Sequence, residues 1–169
     1  MAPLLNLRNA VIDLLNPTGD WVALLPIRLL MAWEFWFAGM KKFNGTNWFA
    51  RFQDNFLFPF NVVPVEISWF LATWFEILGA LGLALGLFTR FWAFSLIILS
   101  IVAISGVHWP ESYSSFAELW ESYSVSRKSD AHGNFRIPLL FIAMLTPLVF
   151  VGAGKLSLDH LLVRKFGRR

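Results

Sequence analysis

Cysteine is absent from this chain of 169 residues, and charged residues are scarce. Without cysteine the chain alone can form no disulfide, thiol nucleophile, Cys-based zinc site or Cys-ligated iron–sulfur cluster. Charged residues make up only 15% of the sequence, against about 25% in a typical soluble protein. Hydrophobic residues make up 57%, and the mean hydropathy is +0.58. This composition excludes a disordered tail, a soluble nucleic-acid-binding protein and an ordinary globular enzyme, and it is typical of an integral membrane protein.

Long apolar stretches recur along the chain and match the thickness of a lipid hydrocarbon core. They cover residues 21–40, 65–87, 92–109 and 137–153. Backbone groups in lipid must be hydrogen-bonded within their own segment, and the stretches lack the alternation of barrel strands, so we expect helices. The sequence therefore predicts an all-α fold, an integral membrane four-helix bundle that forms one domain over residues 1–169.

The two ends of the chain predict its placement in the membrane. Residues 4–15, LLNLRNAVIDLL, indicate a short interfacial helix that stops at Asn16-Pro17. An even number of spans places both termini on one side. From Lys155 onward the tail has five basic residues and one acidic residue, so its charge is five minus one, or +4. Such a tail favours cytoplasmic termini in a bacterial inner membrane and contact with membrane lipid, not nucleic acid.

Three ionisable residues fall inside the apolar stretches, where a charge is costly unless it is paired or hydrated. They are Arg28, Glu34 and Glu76. Arg28 lies about 10 Å from the cytoplasmic side and Glu76 about 16 Å from the same side, at the rise of an α-helix. We therefore expect an Arg28–Glu76 ion pair. It either locks two helices together or forms part of a functional site. Arg28, Glu34 and Glu76 are candidate catalytic residues, and Arg28 and Glu76 are also candidates for binding a cofactor.

A second polar group is expected at the periplasmic surface. Its members come from separate stretches of the chain and are Glu34, Glu66, His108, Glu111, His132 and Arg136. Among them His108, Glu111 and His132 are candidate metal ligands, copper included, although their spacing specifies no metal. The alternative is that they are ordinary interfacial and loop residues. Three deep tryptophans, Trp33, Trp36 and Trp74, either pack between helices or stack on a cofactor.

Several ordered motifs resemble the DoxX family of small four-span membrane proteins. They are IRLLMAWEFWFAGMKKFNG with Arg28, Gly39 and Lys42; WFEILGALGLALGLFTRFWA with Glu76, Gly79, Gly86 and Arg90; His108; and GAGKLSLD with Gly152, Gly154, Ser157 and Asp159. The FPF–VVP, HWPE and HGNF stretches further resemble the HvfX-type subgroup, which accompanies operons for copper-handling modified peptides. The wider family resembles the membrane part of thiosulfate:quinone oxidoreductase.

Three functions remain open from the sequence, and the resemblances imply the first of them. The first is a quinone- or thiol-linked redox component that supports maturation of a copper-binding modified peptide or defence against copper and oxidative stress. The second is a non-enzymatic scaffold that anchors soluble or peptide partners through residues 41–64 and 110–136. The third is a small transporter, which would require a homo-oligomer. Because the chain lacks cysteine, any thiol belongs to a partner or substrate.

Overall fold

The computed structural model describes residues 2–110, 112–124 and 134–167, and within these ranges the chain is helical with no β-strand. The α-helices are α1 (Ala2–Val22), α2 (Leu25–Phe43), α3 (Val65–Leu85), α4 (Thr89–Ala103), α5 (Phe116–Ser124), α6 (Arg136–Phe150) and α7 (Leu158–Phe166). A π-helical turn, Ile104–His108, continues α4.

Three helical stretches in the described part are long and apolar enough to cross a membrane: Leu4–Phe43, Val65–Leu85 and Thr89–His108. Helix α6 is apolar but shorter, with 15 residues. The expected second stretch agrees with α3 within two residues. The third begins earlier than expected, at Thr89, and the first extends three residues further, to Phe43.

The core lies where α2 packs on α3, α3 on α4, and α4 on α6. Its fully buried side chains include Met31, Leu83, Leu96, Leu145 and Leu148. Helices α2 and α3 approach closely at Gly39, where an added Cβ would lie 2.7 Å from Ile77 Cγ1. Gly39 therefore fixes which residues of α2 and α3 stand side by side.

Helix α1 corrects the expectation that a helix ends at Asn16-Pro17. It continues through Pro17 to Val22. Proline removes one backbone hydrogen bond, which is costly inside a packed helix. Here α1 is exposed along most of its length, so the carbonyl that loses its partner can meet solvent or lipid headgroups. The Thr18 hydroxyl also donates to the Leu14 carbonyl, which ties the two turns around the proline together.

The connection between α2 and α3 covers the N-terminal half of α3. Phe49 and Phe56 are buried there and contact each other edge to face, with ring centroids 5.2 Å apart. Phe49 also contacts Trp69 of α3 at 5.0 Å. This aromatic cover is needed because α2 ends at Phe43, level with the middle of α3, and leaves the first half of α3 without a helical neighbour on that side.

Candidate functional site

A cavity of about 430 Å³ lies between α2, α3, α4 and the aromatic cover. Seven aromatic side chains line it: Phe35, Trp48, Phe49, Phe56, Phe60, Phe75 and Phe141. The ionisable and hydroxyl groups in its wall are Lys42, Ser68, Glu76, Ser95, Ser100 and His108. Small-molecule sites typically have volumes of about 300–1,000 Å³ and combine apolar walls with a few polar groups. This cavity has both properties.

An ion pair inside the protein forms one end of the cavity. Lys42 Nζ donates to both carboxylate oxygens of Glu76, at 2.8 Å and 2.7 Å. The two side chains are only 15% and 10% exposed. A charge pair withdrawn from water to this degree needs close contact and several hydrogen bonds to offset the loss of hydration. The bidentate contact supplies two of them, and Lys42 keeps a third N–H donor.

The expected Arg28–Glu76 ion pair is wrong. The Arg28 guanidinium instead donates from Nη1 to the Ala153 carbonyl at 2.7 Å and from Nη2 to the Leu156 carbonyl at 2.8 Å. The prediction assumed that Trp21 and Leu87 lie at the same depth. In the structure, Arg28 lies beside Gly86, since a Cβ added there would be 2.7 Å from Nη1. Gly86 is ten residues from Glu76, or about 15 Å along α3.

Arg28 belongs to a polar cluster that joins the end of α3 to the start of α7. Asp159 accepts from the backbone N–H groups of Phe88 and Thr89 at 2.7 Å and 2.9 Å, and so caps α4. Gly86 ends α3 with φ of +64°, a conformation that favours glycine. Its backbone carbonyl accepts from Asp159 N–H at 2.8 Å. These contacts give Arg28 a role in holding helix ends together.

The opposite end of the cavity holds Ser68 and His108. Ser68 lies eight residues before Glu76, so the cavity runs about 12 Å along α3. The Ser68 hydroxyl is buried and has no hydrogen-bond partner among the described residues. Buried polar atoms are normally paired, and an orphan requires an explanation. Ser68 lines the cavity, but its hydroxyl oxygen is enclosed by its neighbours, so a change of side-chain rotamer is needed to present it to a ligand or water there.

His108 is positioned by the π-helical turn at the end of α4. Such turns insert a residue into an α-helix, rotate the following side chains, and often occur at functional sites. Gly106 within the turn is buried, and the ring of Phe56 occupies the space that a side chain there would need. The sequence singled out His108, but its place in the cavity wall, where it hydrogen-bonds the backbone of Asn134, required the structure.

The expected convergence of Glu34 with Glu66 does not occur. On α2, Glu34 lies between Arg28, which contacts Gly86 of α3, and Gly39, which contacts Ile77 of α3. Glu34 therefore lies between these two contacts, near the level of Leu81 on α3. Glu66 is in the first turn of α3, fifteen residues away, or about 23 Å along the helix. The prediction estimated the depth of each residue from the end of its own span. It did not foresee that the N-terminal half of α3 extends beyond the C-terminal end of α2. Neither residue lines the cavity.

The three deep tryptophans lie outside the cavity wall. Trp33, Trp36 and Trp74 are 68%, 39% and 37% exposed and therefore face outward from the helices. Trp48, which was not a candidate, lines the cavity instead. Its contribution follows from the fold of the connection between α2 and α3, where it contacts Phe49 and Trp69.

Of the candidate metal ligands, only His108 lies within the described residues, because Glu111 and His132 fall outside them. Among the residues that the structure describes, no group of three or more His, Asp or Glu side chains could hold a metal ion. Arg136 begins α6 and is exposed.

Apolar helices that are long enough to cross a membrane, packed around a buried ion pair, define a helical membrane protein. The chain belongs to the DoxX family, whose pattern matches residues 23–109. That match contains Arg28, Lys42, Glu76, Gly86 and His108, whereas the closing GAGKLSLD stretch lies beyond it. The chain is also 38% identical over 148 residues to an uncharacterized protein from Haemophilus influenzae, across 88% of each chain. No solved structure matches the chain.

Proposed function

We propose that this protein is a redox accessory protein of the bacterial inner membrane and that its cavity binds the head group of a quinone. We further propose that the protein crosses the membrane four times, with both termini in the cytoplasm. The observation that carries it is the cavity, in which an ion pair and an unpartnered hydroxyl are set within aromatic walls. Quinone head groups are flat apolar rings with carbonyl oxygens, and they need aromatic surfaces and hydrogen-bond donors.

Two groups of the chain suit the carbonyl oxygens of such a ligand. Lys42 has three N–H donors, of which Glu76 receives two. The Ser68 hydroxyl is enclosed and has no partner at the other end of the cavity, and a rotation of its side chain would let it donate to a carbonyl oxygen there. Between Lys42 and Ser68, the rings of Phe35, Phe49 and Phe75 line the cavity and provide apolar surfaces that disfavour water there.

Reduction of a quinone takes up two electrons and two protons, and oxidation of a dithiol to a disulfide releases the same numbers. Glu76 and His108 are the proton-exchanging groups of the cavity wall. The carboxylate of Glu76 contacts Lys42 at one end of the cavity. His108 lies at the other end of the cavity, where the π-helical turn after α4 ends. The dithiol belongs to a partner or peptide because this chain has no cysteine.

The cellular role within this proposal follows from the HvfX-type resemblance. In that role, the protein supports maturation of a copper-binding modified peptide or defence against copper and oxidative stress. A deletion strain should lose copper tolerance, and the wild-type gene should restore it. A Glu76→Gln variant should fail to restore tolerance, whereas Glu34→Gln, a second intramembrane carboxylate outside the cavity, should succeed.

A quinone titration tests the binding site directly. The purified protein in detergent is titrated with a short-chain ubiquinone analogue, and quenching of tryptophan fluorescence is followed. We expect saturable quenching that Trp48→Phe reduces, and a Kd at least tenfold higher for Lys42→Met. Glu34→Gln is the matched control and should bind as the wild type does. Non-saturable quenching, or equal affinity in all variants, contradicts the proposal.

One observation favours the scaffold alternative. On α5, Phe116 and Trp120 stack with centroids 6.3 Å apart and are 77% and 60% exposed. This pair lies in the 110–136 connection and offers an apolar surface to a partner or to the lipid interface. If Phe116→Ser with Trp120→Ser abolishes copper tolerance while quinone affinity is unchanged, the scaffold role is favoured over the redox role.

A further inference from the structure

A second, larger opening lies at the end of the protein where α3 ends and α4 begins. It is an open groove of about 1170 Å³ between α1, the start of α4, the end of α6, and α7. It shares no residue with the cavity described above. The groove is therefore a separate site from the proposed quinone site.

The acidic groups of the groove already have partners. Asp20 pairs with Lys155, whose Nζ lies 2.6 Å from its carboxylate. Asp159 accepts the two backbone N–H groups that begin α4. Neither carboxylate is left to neutralise another cation in the groove.

Arg90 is the cation that remains. Its side chain crosses Gly152, where an added Cβ would lie 3.4 Å from Arg90 Nε. Gly152 has φ of +92° and carries no side chain to cover the guanidinium. Arg90 is exposed, and within the described part of the chain it has no hydrogen-bond or ion-pair partner. Its five N–H donors can therefore donate hydrogen bonds to an anion.

The walls around Arg90 are apolar and unpartnered. Leu15 of α1, Phe91 of α4, Val151 after α6 and Val163 of α7 line the groove and are 54–69% exposed. Helix α7 is amphipathic, with two basic residues in its last turn, as in helices that lie on a membrane surface. Trp21 lies beside the groove and contacts His160, and tryptophan is a residue that favours the lipid–water interface.

We propose that this groove binds one anionic phospholipid from the leaflet on the side of the termini. The lipid phosphate pairs with Arg90, and its acyl chains lie along the apolar walls. A free phosphate would match the arginine but leave the walls exposed, whereas a zwitterionic lipid would match the walls but offer no net charge. Arg90 also lies near the C-terminal carbonyls of α6, and a purely structural role there would affect stability without any lipid preference.

Native mass spectrometry of delipidated protein in a neutral detergent tests the proposal. The protein is titrated with phosphatidylglycerol and, separately, with phosphatidylcholine of the same chain length. We expect a preference for phosphatidylglycerol that Arg90→Gln removes, with about fivefold weaker binding, as for loss of one basic residue at an anionic surface. Arg51→Gln, an exposed arginine outside the groove, is the control and should keep the preference.

Further arms separate the remaining explanations. Val163→Asn changes an exposed wall residue and should weaken both lipids, which keeps the test informative if Arg90→Gln does not fold. Millimolar inorganic phosphate should not displace phosphatidylglycerol. The proposal is overturned if the two lipids bind equally to the wild type, if Arg90→Gln keeps the preference, or if inorganic phosphate displaces the lipid.

Discussion

The Lys42–Glu76 ion pair allows a quantitative prediction. Two unit charges 2.8 Å apart attract by about 6 kcal/mol at an effective dielectric constant of about 20. Loss of hydration offsets much of this attraction. Removing one member of a buried pair nevertheless costs about 3–5 kcal/mol, because the other charge is left unpaired.

We expect Glu76→Gln and Lys42→Met each to lower the free energy of unfolding by about 3 kcal/mol, the low end of that range. The low end applies because Gln can still accept one hydrogen bond and because a carboxylate left alone can take up a proton. The double variant should be no less stable than either single variant, which corresponds to a coupling energy of about 3 kcal/mol. Methionine preserves most of the lysine stem, so the apolar packing changes little.

The assay is a double-mutant cycle, in which unfolding in mixed micelles of detergent and sodium dodecyl sulfate is followed by circular dichroism. Arg28→Gln with Glu76→Gln is the control cycle, since Arg28 contacts Gly86, which lies about 15 Å along α3 from Glu76. That cycle should show coupling below about 0.5 kcal/mol. A coupling of that small size between Lys42 and Glu76, or a large one between Arg28 and Glu76, would refute the assignment of the pair.

Further predictions concern the helix ends and can be measured by the same unfolding assay. Asp159→Ala should cost about 1–2 kcal/mol, because α4 loses its N-terminal cap. Gly86→Ala should cost about 2–4 kcal/mol, because a left-handed conformation is imposed on alanine and its methyl group overlaps the Arg28 guanidinium. Lys155→Met should cost no more than about 1 kcal/mol, because its pair with Asp20 is exposed; a larger loss would show that the surface pair is structurally important.

Apolar stretches and their lengths were enough to predict the helices that form the core. The expected stretch 65–87 corresponds to α3, and 137–153 to α6 within three residues. The ends of α2 were harder to predict. Placing the end of the first span at Met40 put Lys42 outside the membrane, although the helix continues to Phe43.

A sequence signal for Lys42 was nevertheless present. Phe35, Gly39 and Lys42 recur at intervals of four and three residues and so share one face of a helix. Phe35 and Gly39 are buried, Gly39 lies against Ile77 of α3, and Lys42 continues the same stripe toward Glu76. The relative depth of Lys42 and Glu76 could not be predicted, because it depends on how far the connection between α2 and α3 folds over α3. The aromatic cover sets that distance through contacts between residues far apart in sequence, namely Phe49 with Trp69 and Phe56 with Gly106.

Photolabelling tests the central claim, that the cavity beside the Lys42–Glu76 pair holds a quinone head group. Membranes that contain the protein are labelled with an azidoquinone, with and without excess unlabelled quinone, and the modified peptides are mapped by mass spectrometry. We expect competable labels on cavity residues, with Phe49, Phe75 and His108 among them, and lower labelling in Lys42→Met. Labels confined to the outward-facing Trp33 and Trp36, or labels that excess quinone does not reduce, would contradict the account.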